Sequence, residues 1–339
     1  GLIYILVLGL VVLSLNLMVG EIAVRAGEPL QLPGLAGKYL GSWAKRVLSV
    51  TIILGGYGSL LAYVIGEGEA LSALFGGNKI YWSVFFWSIA SFLVWRGLQT
   101  VKRVDRIVSF SVIAIISILS FFLFRYFDAG NWQYINISKI FLPYGVILFA
   151  LHGSPAIVEA HALLPNKQKS FKKAVIIGTL IPIAVYMLFA LAVVGAGGLT
   201  TTDVASVGIG YFGTGVLLAA NIFAILAMGT AFLGMGMALK QILTWDYKLP
   251  KWSADALVVI IPLFLFTAGL RSFIFILEIV GGLFIGTEAI LMVLTCWKAR
   301  QTRKAGASRY DLRNFWLLAV PVMIVFTFAT VYSIVKLFI

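Results

Sequence analysis

Charged residues are scarce in this sequence, and acidic residues are the scarcest. Of the 339 residues, 13 are Asp or Glu and 26 are Lys or Arg, so 12% of the chain is charged, whereas soluble domains have about 25%. Four stretches have no charged side chain at all: 47–66, 174–202, 204–239 and 314–335. Apolar runs of about 20 residues match the thickness of a bilayer's hydrocarbon core. The sequence therefore predicts an all-α, polytopic membrane protein.

Cysteine is almost absent as well. The single cysteine, Cys296, lies within an apolar run, which excludes an intrachain disulfide. No group of His, Cys and Asp has the spacing of a metal site, and we expect no cofactor. The net charge of +13 comes mainly from short loops between apolar runs. Because these basic residues form no patch with aromatic side chains, we expect no nucleic acid as a partner.

The hydrophobic pattern predicts ten membrane-spanning helices in one domain that covers 1–339. To within a few residues, they cover 2–20, 43–74, 80–96, 106–125, 141–164, 173–196, 211–242, 252–270, 272–297 and 314–336. The loops after spans one, three, five, seven and nine carry 21 of the 26 basic residues. Cytoplasmic loops are enriched in Lys and Arg, so these loops are predicted to be cytoplasmic and the chain to lie in the inner or plasma membrane.

This orientation leads to a prediction about the start of the chain. It places Gly1 outside, so we expect one more helix ahead of it and eleven in all. Range 1–127 is then a first repeat without its first helix, 141–298 is a second five-helix repeat, and 312–338 is an additional helix. An odd number of crossings inverts the second repeat, a recurrent plan of transporters that bind substrate at discontinuous helices.

The apolar stretch FLPYGVILFALHGSPAIVEAHALLP at 141–165 contains a break signal. Pro155 gives no backbone N–H to a helix, and Gly153 leaves helical dihedrals more easily than other residues. Backbone groups freed at mid-membrane are tolerated only where they face protein or a watery cavity. The sequence thus predicts a broken helix at 141–164 that lines a substrate site.

Four stretches resemble the aromatic and hydroxy amino acid permeases of the amino acid–polyamine–organocation superfamily. The segment from Phe149 to Phe189 is similar to the sixth and seventh helices of that family, although its pattern HGSIP is shortened to HGSP. EIAVRAGEPLQLPGLAGKYLG at 21–41, GGYGSLLAYVIGEGEAL at 55–71 and GTAFLGMGMALKQILTW at 229–245 resemble the loop after the second helix, the third helix and the eighth helix.

The resemblance implies an inverted-repeat transporter that carries an amino acid by alternating access, with H⁺ or Na⁺ as the driving ion. Its substrate is then an aromatic or another neutral amino acid. In the superfamily the first helix also unwinds and supplies substrate and ion contacts. That helix has no counterpart in this sequence, so part of the site is predicted to lie outside it.

The break supplies the first candidates for substrate binding: Phe149, His152, Gly153, Ser154 and Pro155. A half-helix that starts there attracts a carboxylate, and one that ends there attracts an ammonium group. His152 is an intramembrane ionisable residue, which favours substrate contact or a proton relay. The alternatives are a neutral histidine that satisfies freed carbonyls and a plain proline kink.

A second group of substrate-binding candidates lies on the span 43–74. Gly56, Tyr57 and Tyr63 offer space and aromatic surface for a planar side chain. Small residues also let helices pack closely, so a helix–helix contact is an equal alternative.

The candidates for ion coupling are His152, Glu159, Glu67 and Thr230. Glu159 lies two turns after His152 on the same helix face and is a possible partner for it, or else an interfacial carboxylate. Thr230 is the best candidate for a Na⁺ ligand, because in the sodium-coupled relatives a hydroxyl on the eighth helix completes the sodium site. A hydroxyl bonded to its own helix is the alternative. Glu278 and Glu288 have no predicted role beyond pairing with Arg271 or facing water.

Two other function classes are weighed against transport. An integral-membrane enzyme, such as a lipid or polyprenyl transferase, needs clustered carboxylates or histidines at an interface, and the acidic residues here are scattered. A channel needs a ring or stripe of polar residues, which the sequence does not show. We therefore expect a transporter rather than an enzyme.

Overall fold

The computed structural model describes residues 2–28, 30–96, 98–132, 141–164, 168–201, 212–302, 310 and 312–338. In those ranges the chain is built from α-helices joined by 3-10 and π turns, without strands. The helices are α1 (Leu2–Ala26), α2 (Leu32–Leu40), α3 (Ser42–Phe75), α4 (Lys79–Arg96), α5 (Leu98–Leu123), α6 (Leu142–Leu151), α7 (Ser154–Leu163), α8 (Gln168–Gly197), α9 (Thr214–Gln241), α10 (Lys251–Thr267), α11 (Phe273–Thr302) and α12 (Phe315–Phe338).

Six of the described helices are long and apolar enough to cross a membrane. They are α1, α3, α8, α9 with the π turn that follows it, α11 and α12. The shortest, α12, has 24 residues, which at 1.5 Å per residue exceeds the hydrocarbon core of about 30 Å. Helices α4, α5 and α10 and the pair α6–α7 lie over the other four predicted spans. The total of ten spans and the inverted repeats remain predictions.

The chain divides into two compact units. Unit 1 comprises Gly1–Gly55, Ile140–Tyr186 and Glu278–Ile339, and unit 2 comprises Gly56–Lys139 and Met187–Leu277. Three of the four boundaries therefore lie within α3, α8 and α11, and the fourth lies between Lys139 and Ile140.

In unit 1, α1 packs against α11, α12 and the α6–α7 pair. The buried carboxylate of Glu21 accepts hydrogen bonds from Arg25 Nε at 2.8 Å, Arg300 Nε at 2.7 Å and the Leu312 N–H at 3.3 Å. Burial, together with Glu21, raises the pKa of the Tyr310 phenol. These contacts fasten one end of α1 to α11 and to the segment ahead of α12.

In unit 2, a buried apolar cluster joins three helices. Its members are Leu119, Leu123, Ala192, Val193, Val216 and Ala220. A hydrogen bond also joins α4 to α10: the indole N–H of Trp87 donates to the Val259 carbonyl at 2.9 Å. An ion pair between Lys240 and Asp255 links α9 to α10.

Candidate functional site

The helix at 141–164 is interrupted at the predicted position. Helix α6 ends at Leu151, His152 has an extended conformation (φ −65°, ψ 119°), and α7 begins at Ser154 with Pro155 in its first turn. The His152 N–H donates to the Phe149 carbonyl at 3.2 Å, which closes α6. Because helix ends leave N–H and C=O groups without intrahelical partners, the carboxyl end of α6 and the amino end of α7 both offer backbone groups at this point.

His152 is paired across unit 1 with a residue 136 positions away. Its Nε2 lies 2.9 Å from Oε1 of Glu288 on α11, and the two side chains are only 14% and 4% exposed. From the sequence, Glu159 is a possible partner for His152, and Arg271 or water is expected for Glu288. The pairing of Glu288 is corrected by the structure, since Glu288 pairs with His152 and Arg271 donates to the Phe266 carbonyl at 3.1 Å; a contact of Glu159 with His152 stays a prediction. The Glu159 side chain lies outside the described part of the structure.

A chain of polar side chains holds the start of α7. Ser154 Oγ donates to Asn16 Oδ1 at 3.4 Å, Asn16 Nδ2 donates to Thr179 Oγ1 at 3.1 Å, and Thr179 Oγ1 donates to the Val175 carbonyl at 2.9 Å. Ser154 and Asn16 are almost fully buried. Since a polar group in an apolar interior is costly unless it is hydrogen-bonded, this chain fixes α7 against α1 and α8.

Gly153 lies beside this chain with open space around it. A methyl group added to Gly153 would approach nothing closer than Asn16 Nδ2, at 3.9 Å. Both Gly153 and His152 remain half-buried. The interruption therefore combines free helix ends, a histidine–glutamate pair and room beside the glycine.

The position of α6 is set by backbone contact with a π turn at Val280–Phe284 in α11. A methyl group on Gly145 would lie 2.6 Å from the Glu278 carbonyl oxygen, and one on Gly281 would overlap the Gly145 carbonyl. Glycine at both positions allows this close approach of two helix backbones. Glu288, which contacts His152, lies on the same helix just after the π turn. Such π turns within α-helices are frequent at functional sites.

The remaining predicted residues belong to unit 2 and are described within it. Gly56 packs on Leu239 of α9, Tyr57 is 6% exposed, and Tyr63 is half-buried. Thr230 Oγ1 lies 2.9 Å from the Leu226 carbonyl and 3.1 Å from that of Ala227, so its hydrogen is directed to its own helix. This bonding is the alternative stated for Thr230 in the sequence analysis. Glu67 is completely buried.

Sequence reasoning missed Asn16, Thr179 and the pairing of Glu288. A signal existed for Asn16, since an amide inside an apolar span is costly in a membrane and points to a function or a packing role. Thr179 gave no such signal, because a threonine in a membrane helix commonly bonds to its own backbone. The pairing of Glu288 depends on how distant helices pack.

Comparison with known proteins identifies relatives over nearly the whole chain. The sequence profile of the tryptophan/tyrosine permease family matches residues 1–335. Tyrosine-specific transport system 1 of Haemophilus influenzae is 24% identical over 292 residues, and the match covers 79% of this chain and 72% of that protein. Glutamine transporter 2 of Aliivibrio fischeri is 25% identical over 223 residues, 60% of this chain and 57% of that protein.

A solved structure has a similar fold. The crystal structure of MhsT in complex with L-phenylalanine superposes with a TM-score of 0.64 at 14% identity, and the match covers 98% of this chain and 90% of MhsT. At this identity the likeness concerns the fold.

Proposed function

Because the chain belongs to the tryptophan/tyrosine permease family, we propose that it is a secondary transporter that carries a neutral amino acid by alternating access. Both curated relatives are transporters of amino acids, and several apolar helices are suited to a multi-pass membrane protein. We propose no enzymatic activity, since the family and these relatives are transporters. The predicted cytoplasmic loops remain part of this proposal.

The interruption between α6 and α7 is the observation that carries the proposal. The amino end of α7 has the partial positive charge that suits the carboxylate of an amino acid, and the carboxyl end of α6 suits its ammonium group. Gly153 leaves room for a ligand at this point, and Ser154 is held in place by Asn16. We assign substrate binding to Phe149, His152, Gly153, Ser154 and Pro155.

The proposed substrate is an aromatic amino acid or another neutral one. The names of the relatives specify tyrosine and glutamine, and MhsT was solved with phenylalanine. Gly56, Tyr57 and Tyr63 of unit 2 remain proposed substrate-binding residues, with Leu239 of α9 packed against Gly56.

We propose H⁺ as the driving ion. Three of the intramembrane ionisable residues are the half-buried His152 and the buried Glu288 and Glu67, and such groups commonly mark proton pathways. Glu159 remains a coupling candidate on α7. The second candidate ion is Na⁺ at Thr230, whose hydroxyl is already hydrogen-bonded within α9.

The test is uptake by proteoliposomes of the protein, expressed with any segment that its gene encodes ahead of Gly1. Labelled tyrosine, tryptophan, phenylalanine and glutamine are offered under an inward pH gradient, under an inward Na⁺ gradient, and under neither. We expect accumulation of at least one of them under the pH gradient alone. Accumulation under Na⁺ alone would replace the ion, and no uptake under either gradient would contradict the proposed function.

A further inference from the structure

Glu67 is a fully buried carboxylic acid on α3. Glu67 is 0% exposed, and neither of its carboxyl oxygens has a hydrogen-bond partner among the described residues. Glu69, two positions later, shows the ordinary arrangement, because it is half-buried and lies 3.2 Å from the Lys79 ammonium. The two glutamates share a helix and a sequence neighbourhood but have opposite environments.

The described side chains around Glu67 in unit 2 are mostly apolar and carry no charge. A methyl group on Gly229 of α9 would lie 3.5 Å from Glu67 Oε1 and 3.9 Å from the Phe86 ring of α4. On either side of Glu67, Gly66 packs on Met228 and Phe273, and Gly68 packs on Ser83. The side chains named here therefore supply no positive charge that would stabilise an ionised carboxylate.

The ionisable groups on the neighbouring elements are engaged elsewhere. The Lys79 ammonium of α4 lies on Glu69. Arg271, just ahead of α11, lies 5.0 Å above the Phe266 ring and donates to that residue's carbonyl. The Tyr63 phenol lies one turn earlier on α3. In the part of unit 2 that is described, no cation is paired with Glu67.

A charged carboxylate in such a place is very unfavourable. Burying an ion without a partner costs far more than burying the neutral acid, so the group takes up a proton instead. In this conformation Glu67 is therefore the neutral acid. Any conformation that brings water to Glu67 removes this constraint and allows the proton to leave.

Resting on the transport function proposed above, we propose that Glu67 is the proton-binding residue of the transport cycle. It takes one proton from water on one side of the membrane, holds it as a neutral acid while it is buried, and gives it to water on the other side. One proton crosses with one amino acid, and no other group is altered. His152 and Glu288 then serve at the substrate site, separately from this step.

The test separates accumulation from exchange in the variant Glu67→Gln. Glutamine has the shape of the neutral acid but cannot release a proton. One coupled proton and a gradient of about one pH unit support about tenfold accumulation, since each tenfold ratio is about 1.4 kcal/mol. We expect Glu67→Gln to lose this accumulation, down to a ratio of about one, while exchange of internal for external substrate stays within about twofold of wild type.

The matched control is Glu69→Gln, which removes a carboxylate of the same helix that is paired and half-buried. It should accumulate substrate as the wild type does. Accumulation by Glu67→Gln at the wild-type ratio would overturn the proposal. If the wild type itself neither accumulates nor exchanges substrate, the proposed function fails instead, so the two failures are distinguishable.

Folding of the variant is itself a test. A protein that holds Glu67 as a neutral acid should tolerate glutamine, and Glu67→Gln should unfold at the same temperature as the wild type. A Glu67→Gln protein that fails to fold would show that an uncharged polar side chain is not tolerated there and would overturn the proposal. Infrared spectra of the wild type should contain a protonated-carboxyl band that Glu67→Gln lacks.

Discussion

Besides Glu21, three buried glutamates lie on the described apolar helices, and they differ in what surrounds them. Glu278 is paired with Lys336 near the end of α12, Glu288 is paired with His152 at the interruption, and Glu67 has no partner among the described residues. When one member of a buried hydrogen-bonded pair is removed, the other member is left without a hydrogen-bond partner, which costs free energy of folding. The difference gives a direct way to test the His152–Glu288 contact.

A double-mutant cycle should detect this contact. We expect Glu288→Ala and His152→Ala each to lower the free energy of unfolding by about 1–3 kcal/mol, because each leaves a buried polar group unpaired. The double variant should lose less than the sum of the two, with a coupling energy of at least about 0.5 kcal/mol. The measurement is denaturant-induced unfolding in detergent, with purified single and double variants.

The control for this cycle is Glu278→Ala combined with His152→Ala. Glu278 lies ten positions before Glu288 on the same helix, which corresponds to about 15 Å, and its partner is Lys336. Because Glu278 and His152 have different partners, their contributions should be additive. Additive losses for His152 and Glu288 as well would show that the pair makes no energetic contribution in the folded protein.

At the scale of elements, the interruption is the feature that the sequence predicted best. HGSP specifies the break locally, since a proline and a glycine act on their own backbone, and α6 and α7 end and begin there. The π turn of α11 and the short helix α2 were not predicted. Neither follows from a membrane-length apolar run: the π turn packs against α6, and α2 is a nine-residue helix in the loop between the first two predicted spans.

The contact between α6 and the π turn should be intolerant of a single methyl group. We expect Gly281→Ala to destabilise the protein by about 1–3 kcal/mol, because the added carbon would overlap the Gly145 carbonyl and a backbone cannot move aside easily. Transport should fall as well, since α6 ends at the substrate site. The measurements are the unfolding temperature and the initial rate of uptake.

Gly178→Ala supplies the comparison for this variant. Gly178 is an exposed glycine in α8 with nothing within 4 Å of an added methyl group. Alanine is favoured over glycine in a helix by about 1 kcal/mol, so this change should be neutral or stabilising. Equal effects of the two substitutions would indicate that the α6–α11 contact is looser than the structure shows.

At the scale of the whole molecule, the sequence predicted the class of protein and the position of its apolar segments, but not its division into two units. Apolar runs and proline positions depend on neighbouring residues and can be read directly. Unit 1 brings together residues from distant parts of the chain: Asn16 with Ser154 and Thr179, and Glu21 with Arg300. Such groupings depend on helix packing, and one sequence alone carries no signal for them.

The orientation of the chain in the membrane is the prediction that concerns the molecule as a whole. The loops that carry most of the basic residues should face the cytoplasm. Cys296, the single cysteine, is buried and can be replaced by Ala to give a cysteine-free background. Single cysteines are then placed at two exposed positions, Ala129 in the turn after α5 and Lys169 at the start of α8.

A membrane-impermeant maleimide should label the two variants differently. In intact cells we expect it to react with Ala129→Cys, which lies in a predicted outer loop, and not with Lys169→Cys. After the membrane is permeabilised, both should react, which shows that each position is accessible in the folded protein. Since the predicted loops alternate between the two sides of the membrane, the reverse pattern in intact cells would invert the whole predicted topology.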